Sequence, residues 1–256
     1  MIPAILFGRK GSAGFPGKNL YQVLGRPLLL YPLLAAINSI KVDKVFVSTD
    51  DEKVMKIGKE FGAELIPRPP DLANETVLVD DVFAHGYREL LKQYDVEMVV
   101  ILVCNAPNIL SSMIDKGINV LLNDPSLDSA VGVSDYTTWS PIRARTEDNE
   151  GLLKPFVPFE AFGDPSKINC DRDSMGSVWF VDMSVSVVRP RCLENLEDGM
   201  LPQRWLGQRI YPLKQWGGLD ADFEWQIPQI EYWLKANGFT EEKTPYDKTV
   251  NSDNFF

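Results

Sequence analysis

The chain has 256 residues, enough to bury a sizeable core in one α/β domain. Hydrophobic residues make up 45% and charged residues 24%, the balance of an ordinary globular protein. Lys plus Arg is 26 against 36 Asp plus Glu, so the net charge of −10 argues against a general nucleic-acid binder and against an anionic membrane surface as partner. No apolar run reaches the ~18 residues of a membrane span. The opening MIPAILFGRKGS lacks a basic n-region and reads as a core strand, not a secretory signal. Cys104, Cys170 and Cys192 are sparse and unclustered, as expected of reduced thiols in a cytoplasmic protein.

Elements alternate along the first half. Ile2–Phe7 reads as a strand, followed by the glycine-rich loop GRKGSAGFPGKN. Leu28–Ile40 reads as a helix with Pro32 near its first turn. Lys44–Ser48 is a short strand, and Asp51–Phe61 an amphipathic helix opened by Asp50 and Asp51. Strands then follow at Ala63–Ile66, Met98–Val103 and Ser129–Val133, with helices at Val79–Gln93 and Ser111–Leu122 between them. Such alternation predicts an α/β fold: a three-layer, mostly parallel, Rossmann-like sheet covered on both faces. From Asp135 to Asp173 the rhythm breaks around four prolines. Trp139, Phe156, Phe159 and Phe162 make this stretch too apolar for a free linker. It reads as an excursion, partly of strands, that packs on a neighbouring copy and makes a homodimer. Ser177–Val188 and Arg209–Leu213 return as strands, Asp222–Ala236 is a helix, and Thr244–Phe256 is a polar tail. Residues 1–256 are read as one domain.

Charge is distributed unevenly. Arg9, Lys10, Lys18, Arg26 and Lys41 all precede the first acidic residue, Asp43. Gly8, Gly11, Gly14 and Gly17 recur every three residues between the first strand and first helix. Such a loop lets backbone N–H groups approach phosphates without Cβ obstruction. It is neither a dinucleotide fingerprint nor a P-loop, since Ser12 stands at the leading glycine and Asn19 follows Lys18. With Arg9, Lys10, Ser12, Lys18 and Asn19 among the glycines, it reads as a phosphate site; the alternative is a flexible surface loop.

Asp220 and Asp222 stand in GGLDADFEW. Alternate residues of an extended segment share a side, and two carboxylates there can hold Mg²⁺. The alternative is that Asp222 caps the next helix while Asp220 is solvated. His85 and Cys104 read as packing residues, not as base and nucleophile.

The blocks GRKGSAGFPGKN, GRPLLLYPLLAA, VDKVFVSTDDEKV and GAELIPRPPDLA resemble the cytidylyltransferases that activate eight- and nine-carbon sugar acids, including CMP-N-acetylneuraminate synthetase. The resemblance implies a nucleotide-diphospho-sugar-transferase fold with an inserted dimerisation segment, and CMP transfer from CTP to the anomeric hydroxyl of a 2-keto sugar acid. It implies that Arg9, Lys10, Gly11, Ser12 and Lys18 hold the triphosphate, that Asn19 and Arg68 address the cytidine, and that Asp220 and Asp222 bind Mg²⁺. Arg9, Lys18 and Asp222 would carry catalysis. Two departures stand out. Ala13 replaces the family's lysine, with Lys10 a candidate substitute. VCNAP at Val103–Pro107 replaces Q-P-T-S-P, which points away from N-acetylneuraminate itself and leaves Asn105 to supply an amide. Arg143, Arg145 and Arg172 are candidates for the sugar carboxylate or for the dimer interface. The rival readings are a nucleotidyltransferase for another NTP, a D-x-D glycosyltransferase, and a non-catalytic paralogue.

Overall fold

The computed structural model describes residues 1–74, 76–171 and 176–247. Its main sheet has seven strands: β1 (Pro3–Phe7), β2 (Lys44–Thr49), β3 (Glu64–Pro67), β4 (Val99–Val103), β5 (Ser129–Asp135), β6 (Trp179–Val188) and β7 (Ile210–Gln215). They lie in the order β7-β5-β6-β4-β1-β2-β3. Every pairing is parallel except the two made by β6, which runs antiparallel between β4 and β5.

The helices are α1 (Leu30–Ile37), α2 (Glu52–Glu60), α3 (Val79–Leu91), α4 (Ser111–Asn123), α5 (Pro190–Glu194) and α6 (Ile227–Ala236). β1 and β4 are buried along their whole length because helices cover both faces. Alternate residues of β1 serve the two sides. Ala4 and Leu6 pack with α1, α2 and α4. Ile5 and Phe7 pack with α3 and α5. The result is the expected three-layer, mostly parallel α/β fold.

A third, smaller core has a different task. Phe15 of the glycine-rich loop, Ala221 of the D-x-D segment, and Ile227, Ile230, Trp233 and Leu234 of α6 form one cluster. Two loops far apart in sequence are thereby seated on the same apolar base.

Several expected boundaries move. The first helix spans Leu30–Ile37, short of the expected Leu28–Ile40; Leu28 and Leu29 are core residues in the turn before it, and Ile40 is exposed. α6 begins at Ile227 after a 3₁₀ turn at Glu224–Gln226, so Asp222 lies outside the helix. Pro228 is tolerated because the opening turn needs no N–H from it. Tyr246 departs from the polar-tail reading: it packs on the core, and its hydroxyl accepts from Ser111 N at 3.1 Å. The excursion holds one short hairpin, Arg145–Glu147 with Leu153–Pro155, joined by 3₁₀ turns. No described helix is long and apolar enough to cross a membrane.

Candidate active site

The carboxyl ends of β1, β3 and β4 open onto a cleft of about 540 Å³. Parallel strands direct their loops to this edge, where open α/β sheets place ligands. Arg9, Gly11, Ser12, Lys18, Asn19, Arg68, Asn105 and Asp222 all line it, together with Ala13 and Val103. Lys10 is not in the lining: its side chain is exposed, and its N–H donates to Asp50 Oδ1 at 2.8 Å.

The glycines have separate structural reasons. A Cβ on Gly8 would come within 2.6 Å of Cys104 Sγ, and one on Gly14 within 2.8 Å of the Asp222 carbonyl oxygen. Gly17 takes φ +74°, which favours glycine, and turns the chain into the Lys18–Leu20 3₁₀ turn. Between these anchors, none of the described residues accepts from the N–H groups of Gly11, Ser12, Ala13 or Gly14. Successive unspent N–H groups in a loop are an anion cradle. Asn19 is buried, and its Nδ2 donates to the Arg9 carbonyl at 3.0 Å, so this amide nitrogen shapes the loop.

Arg68 reaches into the inner end of the cleft. Its Nη2 donates to the Ser48 carbonyl at 2.7 Å, while Nε is buried with no partner among the described residues. Burial pulls its pKa down, and nearby Asp50 opposes that. Phe7, Leu72, Val77, Val79, Val82 and Phe83 supply apolar walls. The Cys104 thiol is fully buried, and burial pushes its pKa up to about 12, which fits a packing role. His85 has a pKa lowered mainly by burial, and it faces Glu89 at 3.6 Å.

Across the cleft lies the D-x-D. Lys18 Nζ meets Asp222 Oδ1 at 2.6 Å. Asn105 clamps the segment: its carbonyl accepts from Ala221 N at 2.8 Å, and its Nδ2 donates to the Ala221 carbonyl at 3.1 Å and to Asp220 Oδ2 at 3.5 Å. That side-chain nitrogen is therefore committed to the D-x-D segment. Burial, reinforced by the charge of Asp222, raises the Asp220 pKa to about 6. The cap reading of Asp222 loses its footing. The N-cap position of the 3₁₀ turn is Phe223, and Gln226 Oε1 accepts from the N–H groups of Asp222 and Phe223 at 2.7 and 2.8 Å.

Arg143 and Arg145 are absent from the cleft lining. Arg143 donates to the Cys170 carbonyl at 2.6 Å, and Arg145 stacks on Phe159 and donates to backbone carbonyls. Arg172 lies outside the described residues.

Residues 3–149 match the family model described as cytidylyltransferase, more than half of the chain. The chain belongs to the cytidylyltransferase family. This cytidylyltransferase is 31% identical over 133 residues to a 3-deoxy-manno-octulosonate cytidylyltransferase of Chlamydia trachomatis serovar A, covering 52% of this chain and 50% of that one. It is 39% identical over 85 residues to an N-acylneuraminate cytidylyltransferase of Escherichia coli O18:K1:H7, covering 33% and 20%. The chain spans about half the length of the curated 3-deoxy-manno-octulosonate cytidylyltransferases it matches. A solved CMP:2-keto-3-deoxy-manno-octonic acid synthetase complexed with CTP shares the fold, with TM-score 0.64, 17% identity, and coverage of 92% of this chain and 98% of that one. The matched segment ends at residue 149, so Asp220 and Asp222 lie beyond it.

Proposed function

We propose that this cytidylyltransferase transfers CMP from CTP to the anomeric hydroxyl of a 2-keto sugar acid. The observation that carries the reading is the convergence, in one cleft, of a cationic loop with unspent N–H groups and Asp222 of the D-x-D segment, with Asp220 outside the lining beside Asn105. Its setting is the cytoplasm.

The anomeric oxygen attacks the α-phosphorus, the bond from that phosphorus to the oxygen bridging to the β-phosphate breaks, and pyrophosphate leaves with that oxygen while the hydroxyl gives its proton to water. Arg9, Lys18 and the Gly11–Gly14 N–H groups hold the phosphates and offset the charge that builds on them. Arg68 supplies N–H donors to the pyrimidine, whose O2 and N3 are acceptors, and the apolar walls exclude water from it. Asp220 and Asp222 suit a divalent magnesium ion. They are hard oxygen donors, and burial, reinforced by the charge of Asp222, raises the Asp220 pKa, a cost that a bound cation would offset. When bound, the ion neutralises phosphate charge and acidifies the attacking hydroxyl. Lys18 pairs with Asp222 and would have to yield it to the ion. Val103 lines the cleft with methyl groups alone, so an acceptor other than N-acetylneuraminate is favoured.

The test is incubation with Mg²⁺, each nucleoside triphosphate, and a panel of eight- and nine-carbon 2-keto sugar acids, scored for pyrophosphate and nucleotide-sugar. CTP should be preferred over ATP and GTP, with at least one acid turned over. No pyrophosphate with any acid, or preference for a purine nucleotide, overturns the proposal.

A further inference from the structure

β6 carries a carboxylate that the proposed reaction does not touch. Asp182 is 4% exposed in the middle of the sheet. The ladder with β5 shifts register between Val181 and Ser186, and Met183 takes φ +58° inside that irregularity. The bulge turns the side chains of Asp182 and Ser184 onto the same neighbours. Asp182 Oδ1 accepts from Ser184 N at 3.1 Å and Ser184 Oγ at 2.6 Å. Its Oδ2 accepts from Ser134 Oγ at 2.7 Å and Gln215 Nε2 at 2.9 Å. Among the described residues no lysine or arginine pairs with it. A buried carboxylate is held here by four neutral donors, a costly arrangement that a sheet interior does not otherwise need.

The donors lead to one place. Ser134 Oγ has a single proton, which goes to Asp182, so its lone pair is free to accept from Gly218 N at 2.8 Å. Gly218 packs so closely that a Cβ would sit 2.0 Å from Asp182 Oδ2. The Gly218 carbonyl accepts from Tyr136 Oη at 2.7 Å, and the neighbouring Gly217 carbonyl accepts from Asn108 Nδ2 at 2.6 Å. Asp220 is two residues further on and Asp222 four. The segment is therefore tied at Gly217 and Gly218 to the sheet interior, and at Ala221 to Asn105.

We infer that Asp182 is a positioning residue for the D-x-D: through Ser134 and Gly218 it fixes the path of the segment that brings Asp222 into the cleft and sets Asp220 beside Asn105. The inference rests on the assignment of those two carboxylates to the cation. Asp182 touches neither substrate nor ion. It acts by orienting one hydroxyl, which orients one peptide. An amide at position 182 keeps one acceptor oxygen, so either the Ser184 pair of donors or the Ser134 and Gln215 pair would face a donor, and the network that holds Gly218 would loosen.

The experiment uses the full chain with Asp182→Asn, Ser134→Ala and Asp222→Asn. Three readouts are taken: hydrogen exchange over residues 216–223, Mn²⁺ affinity of the CTP-bound protein by electron paramagnetic resonance, and CTP affinity by calorimetry. The inference expects Asp182→Asn and Ser134→Ala to speed exchange at Gly218 at least tenfold. Each should also weaken Mn²⁺ at least tenfold, with CTP affinity in the absence of metal within twofold. Ser134→Ala removes one bond and no charge, so it carries the test if Asp182→Asn does not fold. Unchanged exchange and Mn²⁺ affinity in Ser134→Ala, with Mn²⁺ lost in Asp222→Asn, overturn the positioning role and leave the function standing. If Asp222→Asn itself binds Mn²⁺ and turns over normally, the cation assignment falls and this inference falls with it.

Discussion

Lys18 Nζ lies 2.6 Å from Asp222 Oδ1, an ion pair between residues 204 positions apart. The ammonium is the sheltered member, with 15% of its side chain exposed against 55% for the carboxylate. Partly exposed pairs of this kind contribute about 1 kcal/mol or less, so a ligand can separate them cheaply. Each partner is then left facing what the proposed reaction needs: a cation toward phosphate, a carboxylate toward metal.

Lys18→Ala and Arg9→Ala should each lower kcat/KM for CTP by on the order of 10²-fold or more, since each removes a charge from a site of concentrated phosphate charge. Circular dichroism should be unchanged, because neither side chain is a core residue. Near-normal turnover at saturating CTP in both variants would remove the phosphate assignment.

Asp222→Asn separates two roles for one residue. As a metal ligand it cannot be replaced by an amide, so turnover should be lost while melting temperature and CTP affinity hold. As a helix cap it could be replaced, because Asn caps as well as Asp. The side chain's bond to Lys18, with Phe223 at the N-cap position, favours the first outcome. An active variant with an unchanged Mg²⁺ requirement would leave the cation assignment without its centre.

Asp220 links activity to pH. Burial and the charge of Asp222 raise its pKa from an ordinary 3.8 to about 6. A group raised in the folded state lends stability that is fully present below the unfolded value and lost as pH rises through the folded one. The ionised carboxylate thus costs the free protein about 3 kcal/mol at neutral pH, by the conversion of pKa shift to free energy. Asp220→Asn should therefore raise the melting temperature above pH 6 without divalent cation, and abolish turnover. The wild type at limiting cation should lose activity as pH falls through about 6. A melting temperature that drops in the variant across pH 6–8 contradicts the burial argument.

The excursion exposes Leu152, Leu153 and Phe156 by 60%, 75% and 65%. Apolar surface of this kind usually marks an interface, and a two-fold dimer is the commonest closed solution. Light scattering at micromolar concentration should give twice the single-chain mass, and Leu153→Asp with Phe156→Ser should give the single chain. A single-chain mass for the wild type contradicts the expected dimer.

What could be read from residues alone follows the physics of burial. PAILF and VVILV are continuous apolar runs because both faces of those strands are covered, and such runs stand out in sequence. The direction of β6 does not, since a period-2 pattern is the same read either way. Its bulge was equally hidden: Asp182 and Ser184 in FVDMSVSVV resemble the outward polar residues of a half-exposed strand. In the site, glycines and lone cations were legible because their chemistry is local. Arg68, Arg9, Lys18 and Asp222 line one cleft. The sequence offers Asn105 for the substrate and Arg143 for the sugar carboxylate or the dimer interface. Asn105 Nδ2 and Arg143 Nη2 instead donate to the carbonyls of Ala221 and Cys170, which only the tertiary structure brings near.

The contact between Gly8 and Cys104 turns the protein into a gauge of its own breathing. Cys104 Sγ is sealed under the start of the glycine-rich loop, and its pKa near 12 leaves almost no thiolate to react. Cys170 is exposed, whereas Cys192 is buried like Cys104. An alkylating reagent therefore consumes Cys170 at once and must wait for local opening to reach Cys104. Where closing outruns alkylation, that waiting time is the intrinsic reaction rate scaled by the fraction of molecules whose loop has lifted. Under the proposed function a nucleotide clasped by the same loop should lengthen the wait, so its grip could be timed with a thiol reagent before any product is made.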